Sequence, residues 1–223
     1  MEKKQIKSKE RVAEHGEVFT NDREVNAMLD LVKDESARID SRFLEPACGD
    51  GNFVAEILMR KLETVKRKYG KNTADYEKFS IVALSSIYGV DIMEDNAKEC
   101  RKRLYDIWNT AYTKQCKSDA NDQCREAAEY IIRHNILYGD ALTMLQNDGA
   151  PIVFAQWDLV LGNKMKRRDY RLDQLLKTKE NQMDMEMYLG GWEYDEETKA
   201  WVPSPIKEYE PVVYWEVQYA AES

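Results

Sequence analysis

Hydrophobic and polar positions follow two different periods along this chain, and the two periods alternate. Apolar residues recur at helical spacing over 21–33, 53–69, 97–111 and 122–133, and the run 81–84 predicts a further helix. Short apolar runs at 42–47, 87–91 and 136–138 predict strands between those helices. Strands that alternate with helices are typical of an α/β fold with a mainly parallel sheet and right-handed crossovers.

The pattern changes in the last third of the chain. Apolar runs over 152–154 and 157–161 predict buried strand material, and 169–176 is expected to form a short helix. Aromatic segments on both sides of a polar turn predict a hairpin over 192–202, and alternation over 213–219 predicts a final strand. We therefore expect a main domain over 1–165 and an appendage over 166–223 that packs on it. The lysine-rich first eleven residues are expected to be mobile.

Composition and charge narrow the class of protein. The chain has 223 residues, of which 43% are apolar and 33% charged, as expected for a soluble globular protein. Its net charge of -8 argues against nonspecific nucleic-acid binding by the bulk surface but leaves room for a local basic groove. Without a membrane-spanning run or a signal peptide in the sequence, a cytoplasmic location is expected. Four cysteines without CxxC spacing and two histidines make a zinc site unexpected and favour reduced, structural thiols.

The most informative stretch is residues 43–53, with the sequence FLEPACGDGNF. It predicts a strand end, a tight turn with Gly49 and Gly51, and a helix start. Glycines permit left-handed backbone angles and the close approach of a ligand. Glu45 precedes the turn at the carboxyl end of the strand, where open α/β sheets bind ligands. An acid there suits S-adenosylmethionine better than a dinucleotide, although a plain strand-to-helix turn would explain the same residues.

Four segments, in order, resemble the motifs of adenine-specific (N6) DNA methyltransferases, the modification subunits of restriction systems. The glycine turn resembles the first motif of that family. Residues 15–20, 88–92 and 139–142 resemble the amino-terminal, second and third motifs, so that the resemblance covers roughly residues 10–165. It implies a Rossmann-like S-adenosylmethionine-dependent fold with helices on both faces of the sheet. Because only about 60 residues follow Asn163, the resemblance also implies an incomplete carboxyl-terminal end and no target recognition domain.

The resemblance assigns cofactor-binding roles to particular residues. Glu45 would receive the cofactor ammonium, Asp91 the ribose hydroxyls, and Asp140 the adenine amino group. Ile92 would cover the adenine, and Phe19 with Thr20 would close the site. Read alone, Asp91 could be a surface aspartate, Gly-Asp an ordinary turn, and the phenylalanine a core residue. The implied cofactor-binding set is Phe19, Thr20, Glu45, Pro46, Cys48, Gly49, Gly51, Asp91, Ile92, Asp140 and Ala141.

The acceptor motif is the part that departs from the family. Asn163 matches the residue that would hold the target amine of a flipped adenine and is the candidate catalytic residue. Lys164 and Met165 replace the two prolines, and Lys166 replaces the aromatic that stacks on the base. Loss of one stacking aromatic costs ~1–3 kcal/mol, and a misplaced transition-state hydrogen bond ~2.7–4 kcal/mol. The cofactor half therefore resembles the family more closely than the acceptor half.

The sequence offers two candidate surfaces for nucleic acid. Lys164, Lys166, Arg167 and Arg168 could contact phosphates, or form a solvated loop. The aromatic residues of the last third could stack on bases or pack as a small core; they are Trp192, Trp201, Trp215 and Tyr219. Recognition of a DNA sequence would then need a separate specificity subunit.

Several functions stay open at this point. The first is an S-adenosylmethionine-binding protein that methylates adenine in DNA as part of a restriction-modification system. The second is a catalytically silent binding or interaction module of a larger restriction or phage-defence assembly, which the Lys-Met-Lys sequence favours. A methyltransferase acting on RNA or a small molecule is a third. A nicotinamide oxidoreductase is disfavoured by Glu45-Pro46 before the turn.

Overall fold

The computed structural model describes residues 6–175, 192–195 and 199–223, and it shows an α/β architecture with mixed sheets. Over the first 140 residues single strands are separated by pairs of helices, and mostly strands follow. The helices are α1 (Lys9–His15), α2 (Asp22–Leu31), α3 (Lys33–Ala37), α4 (Asn52–Tyr69), α5 (Thr73–Ser85), α6 (Glu94–Cys116), α7 (Asp122–Asn135) and α8 (Leu172–Leu175). The strands are β1 (Phe43–Glu45), β2 (Ile87–Asp91), β3 (Ile136–Asp140), β4 (Leu145–Gln146), β5 (Val153–Val160), β6 (Lys164–Arg171), β7 (Trp192–Asp195), β8 (Ala200–Pro203), β9 (Lys207–Glu208) and β10 (Val212–Val213).

Side-chain caps set the starts of the amphipathic helices. Asn21 accepts a hydrogen bond from the Glu24 amide at 3.0 Å, and Asn121 from the Cys124 amide at 2.7 Å. The predicted helices are confirmed as α2, α4, α6 and α7. The helix predicted around 81–84 is α5, which begins eight residues before that apolar run, at Thr73, because Asn72 caps it.

Three of the four strands of the first sheet are parallel. β1 pairs with β2 and β2 pairs with β3, all in parallel, and the residue range predicted for β2 is the one observed. β4 then folds back antiparallel on β3. The parallel part is therefore limited to three strands, and the sheet is mixed where a mainly parallel one was predicted.

The second sheet is antiparallel and is built around β5 and β6. The two apolar runs predicted as strands are one strand, β5, which pairs along its whole length with β6. The basic segment after residue 163, for which a loop was considered, is β6 itself, so the predicted domain boundary at 165 falls inside this strand. Residues 169–171 also belong to β6, and only 172–175 of the predicted short helix is helical. The predicted hairpin is confirmed as β7 and β8.

β5 runs across the first sheet from its carboxyl end to its amino end. At its start, Ile152 lies beside Gly139 at the end of β3: a Cβ on that glycine would meet the isoleucine Cδ1 at 3.1 Å. Near its end, the indole Nε1 of Trp157 donates to Asn135, just before β3, at 2.8 Å. Asp158 then pairs with Arg42, just before β1, at 2.9 Å. β5 therefore points opposite to β1, β2 and β3.

The two faces of the first sheet bury different elements. Ile87 and Ile136 belong to the main core with side chains from α4, α5, α6 and α7. Tyr88 and Val90 point to the other face and pack with Phe154 of β5 and with Leu172. Among the helices of the described ranges, only the short α8 contributes to this second cluster. Helices on both faces were expected, but here a β-hairpin covers one of them.

Both ends of the described chain are tied to this framework. Lys7 and Arg11 form ion pairs with Asp95 at 2.9 and 2.7 Å, so the amino-terminal segment from residue 6 is docked, where a mobile one was predicted. Residues 1–5 lie outside the described ranges. The final strand predicted over 213–219 is wrong: β10 ends at Val213, and the chain turns into a 3-10 helix over 217–219. Tyr214 and Val217 are buried in the main core.

Candidate functional site

A pocket of about 330 Å³ opens at the carboxyl ends of β1 and β2. Its walls come from the β1–α4 turn, the β2–α6 turn and the amino-terminal segment 16–20. Seven of the residues that the sequence assigned to a cofactor line it together: Phe19, Thr20, Glu45, Cys48, Gly49, Asp91 and Ile92. This edge of the sheet is where open α/β proteins bind ligands.

The glycine turn has no room for side chains. Gly49 and Gly51 have φ angles of 53° and 89°, in the left-handed region that favours glycine. A Cβ on Gly49 would come within 2.9 Å of the Phe19 ring, and one on Gly51 within 2.8 Å of the Cys100 sulfur. The turn therefore brings the backbone directly against the amino-terminal wall of the pocket and against α6.

Asp91 ties the two turns of the pocket together. Its Oδ2 accepts a hydrogen bond from the Gly49 amide at 2.7 Å. Its Oδ1 accepts from the Met93 amide at 2.8 Å and from Asn96 Nδ2 at 3.1 Å. The residue is 7% exposed. This carboxylate is buried, and protein donors use most of its capacity to accept hydrogen bonds. An aspartate that bound both hydroxyls of a ribose by itself would need more free acceptor sites.

Glu45 is the carboxylate in the pocket with the fewest protein contacts. It is half-buried, and its one hydrogen bond within the described ranges is a long one, 3.4 Å from the Ala47 amide. Burial raises the pKa of Glu45 above its ordinary value, and the Ala47 amide opposes this only in part. No cationic side chain of the described ranges forms an ion pair with it, so a positively charged ligand group would meet an open partner here.

The amino-terminal wall of the pocket is held by contacts to both turns. Asn52, the first residue of α4, donates to the Thr20 carbonyl at 3.1 Å. Phe19 packs against the glycine turn, and Lys7 lies over its ring with Nζ 6.0 Å from the ring centre. Val18, Met28 and Ile92 line the same pocket and are each more than half exposed. The mouth of the pocket therefore carries apolar surface.

Glu17 and Asn96 are pocket residues that the sequence reasoning missed. Asn96 donates to Glu17 Oε1 at 2.7 Å and also to Asp91, and Arg11 pairs with the same glutamate oxygen at 2.7 Å. The segment containing Glu17 was singled out for its resemblance, but only its last two residues were given a role. The sequence signal that could have indicated Glu17 is its charge directly after Gly16.

Four residues of the predicted cofactor set lie outside the pocket lining. Gly51 lies against Cys100 of α6, on the side of the turn away from the pocket, and Pro46 is exposed next to the turn. Asp140 accepts hydrogen bonds from the Leu142 amide at 2.9 Å and the Thr143 hydroxyl at 3.0 Å, which makes it the cap of its own turn. Ala141 packs with the cluster on the second face of the sheet. The structure thus gives the Gly-Asp pair the turn chemistry that was the alternative interpretation.

Asn163 lies at the opposite end of the first sheet from the pocket. It follows β5, whose end is beside Arg42 and Asn135, before the amino ends of β1 and β3. Its backbone carbonyl accepts a hydrogen bond from the Tyr214 amide at 3.1 Å. Because β5 runs antiparallel to β1, the residue after it cannot reach the carboxyl edge. The structure does not bring the predicted catalytic residue and the predicted cofactor residues together.

Most of the predicted phosphate-binding residues form ion pairs with carboxylates of β6 itself or of the neighbouring strands β5 and β9. Arg167 is 8% exposed and forms a bidentate pair with Asp169, with both N–O distances 2.7 Å. Arg168 pairs with Asp158 at 3.0 Å, and Lys166 with Glu208 at 2.5 Å. Lys164 is exposed. Strand pairing has converted the basic run into a set of ion pairs, which leaves little free positive charge.

The other residues that the sequence analysis considered, the cysteines and the aromatic residues of the last third, have structural roles where the structure describes them. Cys48, Cys100, Cys116 and Cys124 are free and buried. No cluster of histidine, cysteine and acidic residues in the described ranges could hold a metal ion, and no helix there is long and apolar enough to cross a bilayer. Trp215 packs against the main core, and the Tyr219 hydroxyl donates to Glu126 at 2.8 Å. The side chains of Trp192 and Trp201 lie outside the described part.

Comparisons with protein-family models, with curated protein sequences and with solved structures find no match to this chain. The family therefore stays a hypothesis that rests on the four motif-like segments.

Proposed function

We propose that this chain binds S-adenosylmethionine in the pocket between the glycine turn, Asp91 and the amino-terminal wall. The observation that carries the proposal is Glu45, a half-buried carboxylate with no cationic partner in the described ranges, beside a turn too tight for any residue but glycine. S-adenosylmethionine carries an ammonium group and a sulfonium, and a desolvated carboxylate favours such cations. The pocket volume lies within the range of small-molecule sites.

The lining suggests how the ligand lies. The methionine ammonium meets Glu45, and the chain of the amino acid passes over the backbone of Gly49, against which the Phe19 ring packs. The nucleoside lies toward the β2–α6 turn, with its ribose near Asp91. Ile92, Val18 and Met28 supply exposed apolar surface for the adenine ring. In this proposal the fold is a reduced Rossmann-like methyltransferase fold that retains the cofactor edge of the sheet.

Titration calorimetry with S-adenosylmethionine and S-adenosylhomocysteine tests the proposal. We expect the purified chain to bind both, and Glu45→Gln to lose about tenfold or more in affinity because a charge-assisted hydrogen bond is removed. Glu63→Gln, a change of the same chemistry on the exposed side of α4, is the matched control and should leave the affinity unchanged. A wild-type chain that binds neither nucleoside at millimolar concentration would remove the proposal.

A chain that binds S-adenosylmethionine could methylate DNA or act as a catalytically silent module, and we favour the silent module over an adenine DNA methyltransferase. The position of Asn163 at the amino edge of the first sheet, away from Glu45 and Asp91, supports this choice. So does β6, whose arginines are occupied by Asp158, Asp169 and Glu208. If the chain acts in a restriction or phage-defence assembly, contact with DNA would come through a partner subunit.

Transfer of a tritiated methyl group from S-adenosylmethionine to DNA separates the two candidates. The silent module predicts no incorporation above background for the chain alone, and equal results for the wild type and Asn163→Ala. Incorporation that the alanine variant abolishes would overturn the silent assignment and restore Asn163 as a catalytic residue. Incorporation that survives the substitution would support a methyltransferase with a different acceptor site.

A further inference from the structure

Glu17 is a second carboxylate in the pocket, and one of its oxygens has no partner in the described ranges. Its side chain is 8% exposed. Oε1 accepts hydrogen bonds from Arg11 Nη2 and from Asn96 Nδ2, each at 2.7 Å. Oε2 is buried and makes no hydrogen bond. A buried acceptor without a donor costs free energy, and native structures rarely leave one unmet unless a ligand or ion completes it.

The neighbouring Asp91 has too little acceptor capacity to bind a vicinal diol by itself. An ionised carboxylate offers about four lone-pair sites, two on each oxygen. Oδ1 already accepts from the Met93 amide and from Asn96, and Oδ2 accepts from the Gly49 amide. One site therefore remains, on Oδ2, whereas the diol of a ribose brings two hydroxyl donors. The second hydroxyl needs another acceptor nearby.

Asn96 places that second acceptor beside the first. Its amide nitrogen donates to Asp91 Oδ1 and to Glu17 Oε1, so one nitrogen bridges the two carboxylates. All three residues line the same pocket. We propose that Glu17 and Asp91 divide the ribose diol between them, with one hydroxyl donating to Glu17 Oε2 and the other to Asp91 Oδ2. Glu17 is then a binding residue that selects ribonucleosides over deoxyribonucleosides.

This inference rests on the proposed nucleoside site. The experiment distinguishes a failure of the inference from a failure of the proposed function. Calorimetry is carried out with S-adenosylhomocysteine, adenosine, 2′-deoxyadenosine and 3′-deoxyadenosine on the wild type and on Glu17→Gln and Glu17→Ala. We expect the wild type to bind adenosine about tenfold to a hundredfold more tightly than either deoxynucleoside. In both Glu17 variants this preference should collapse to less than about twofold for one of the two deoxynucleosides and persist for the other.

Arg11→Gln is the control for a purely structural role of the ion pair. It removes one of the two partners of Glu17 Oε1 and leaves Asn96 and both carboxylate oxygens in place, so the preference for hydroxyls should survive. If the Glu17 variants weaken adenosine and both deoxynucleosides equally, or if Arg11→Gln has the same effect as they do, Glu17 only positions the wall and the inference is overturned. If the wild type does not bind S-adenosylhomocysteine, the proposed function itself fails, and the inference fails with it.

Discussion

At the scale of single residues, two buried ionisable side chains have opposite relations to their surroundings. Glu45 is half-buried and lacks a protein cation in the described ranges, so its charge is open to a ligand. Lys61 is fully buried, and its ammonium donates to the Ser41 carbonyl, the Ser86 hydroxyl and the Ile39 carbonyl. In the proposed function Glu45 binds a cationic group of the ligand, whereas Lys61 joins α4 to the amino edge of the sheet.

The ionisation of Glu45 should make ligand binding depend on pH. Burial raises its pKa above the ordinary value of 4.5, so protonation of the free protein begins at a higher pH than for an exposed glutamate. We expect the affinity for S-adenosylhomocysteine to fall as the pH is lowered toward 5 in the wild type, and to stay flat in Glu45→Gln. Calorimetry between pH 5 and 8 measures both, and a pH dependence that is equal in the two proteins would contradict the role of Glu45.

Lys61 should make stability rise with alkaline pH. Burial lowers its pKa from 10.5 to about 7, so the unfolded chain binds more protons than the folded one between these two values. The free energy of unfolding should increase with pH in that interval, by up to about 1.4 kcal/mol per pH unit. Urea unfolding from pH 7 to 9.5 should show this slope in the wild type and in Lys68→Met, which changes an exposed lysine of α4. In Lys61→Met the slope should be smaller than in the wild type by the Lys61 contribution. It need not vanish, because burial raises the pKa values of Cys116 and Cys124 in the folded chain and these thiols add an opposite slope near pH 9 in all three proteins. A slope equal to that of the wild type would contradict the assignment.

At the scale of elements, the pocket depends on how α1 docks against α6. Asp95, in the first turn of α6, accepts ion pairs from Lys7 and from both terminal nitrogens of Arg11. The Arg11 guanidinium, and next the Lys7 ammonium, lowers the pKa of Asp95 below its usual range. These contacts hold segment 16–20 over the glycine turn. The amino-terminal wall is therefore attached by side-chain ion pairs and does not belong to the sheet.

Loss of the Asp95 carboxylate should loosen this wall. Exposed ion pairs contribute about 0.2–1 kcal/mol each, so Asp95→Asn is expected to weaken S-adenosylhomocysteine binding by about fivefold, with little change in the urea midpoint. Asp106→Asn removes an exposed pair with Lys102 on the same helix, away from the wall, and should have no effect on binding. Calorimetry at low and high salt should show that added salt weakens the wild type toward the Asp95 variant. A variant that binds as tightly as the wild type at low salt would show that the wall does not need α1.

At the scale of the whole molecule, the carboxyl-terminal segment is anchored on a buried carboxylate far along the chain. Glu77 of α5 accepts hydrogen bonds from Tyr214 at 2.8 Å, from Asn121 at 3.1 Å and from the Tyr112 hydroxyl. Tyr214 itself is 2% exposed and belongs to the main core. This anchor and the pocket share no lining residue, so stability and ligand binding can be perturbed separately.

Tyr214→Phe should destabilise the fold without changing the pocket. It leaves Glu77 short of one donor, and hydrogen bonds to charged groups contribute about 1.5–3 kcal/mol. We expect that loss in the free energy of unfolding measured in urea, with an unchanged affinity for S-adenosylhomocysteine. Tyr219→Phe removes an exposed hydroxyl bound to Glu126 and should cost less than about 0.5 kcal/mol. Equal costs for the two variants would argue against the Glu77 anchor.

The sequence by itself determined the elements whose information is local. Helical periodicity specifies α2 and α7, an apolar run indicates α5, and short apolar runs between the helices specify β1, β2 and β3. The glycine turn, Glu45 and Asp91 could be placed at one edge of a sheet because parallel strands end on the same side. Each of these predictions needs only residues that are close in sequence, together with the rule that two parallel strands joined by a helix end at the same edge of the sheet.

Only the tertiary structure decided the direction of β5, and with it the position of Asn163 and the ion pairs of β6. The sequence cannot supply this, because a buried apolar strand has the same composition in either direction and its orientation depends on distant partners such as Gly139, Asn135 and Arg42. The role proposed for Glu17 likewise depends on Asn96, which lies 79 positions away. Contacts between residues that are far apart in the chain thus decide that Asn163 and the predicted cofactor residues lie at opposite edges of the sheet, since local pattern cannot encode them.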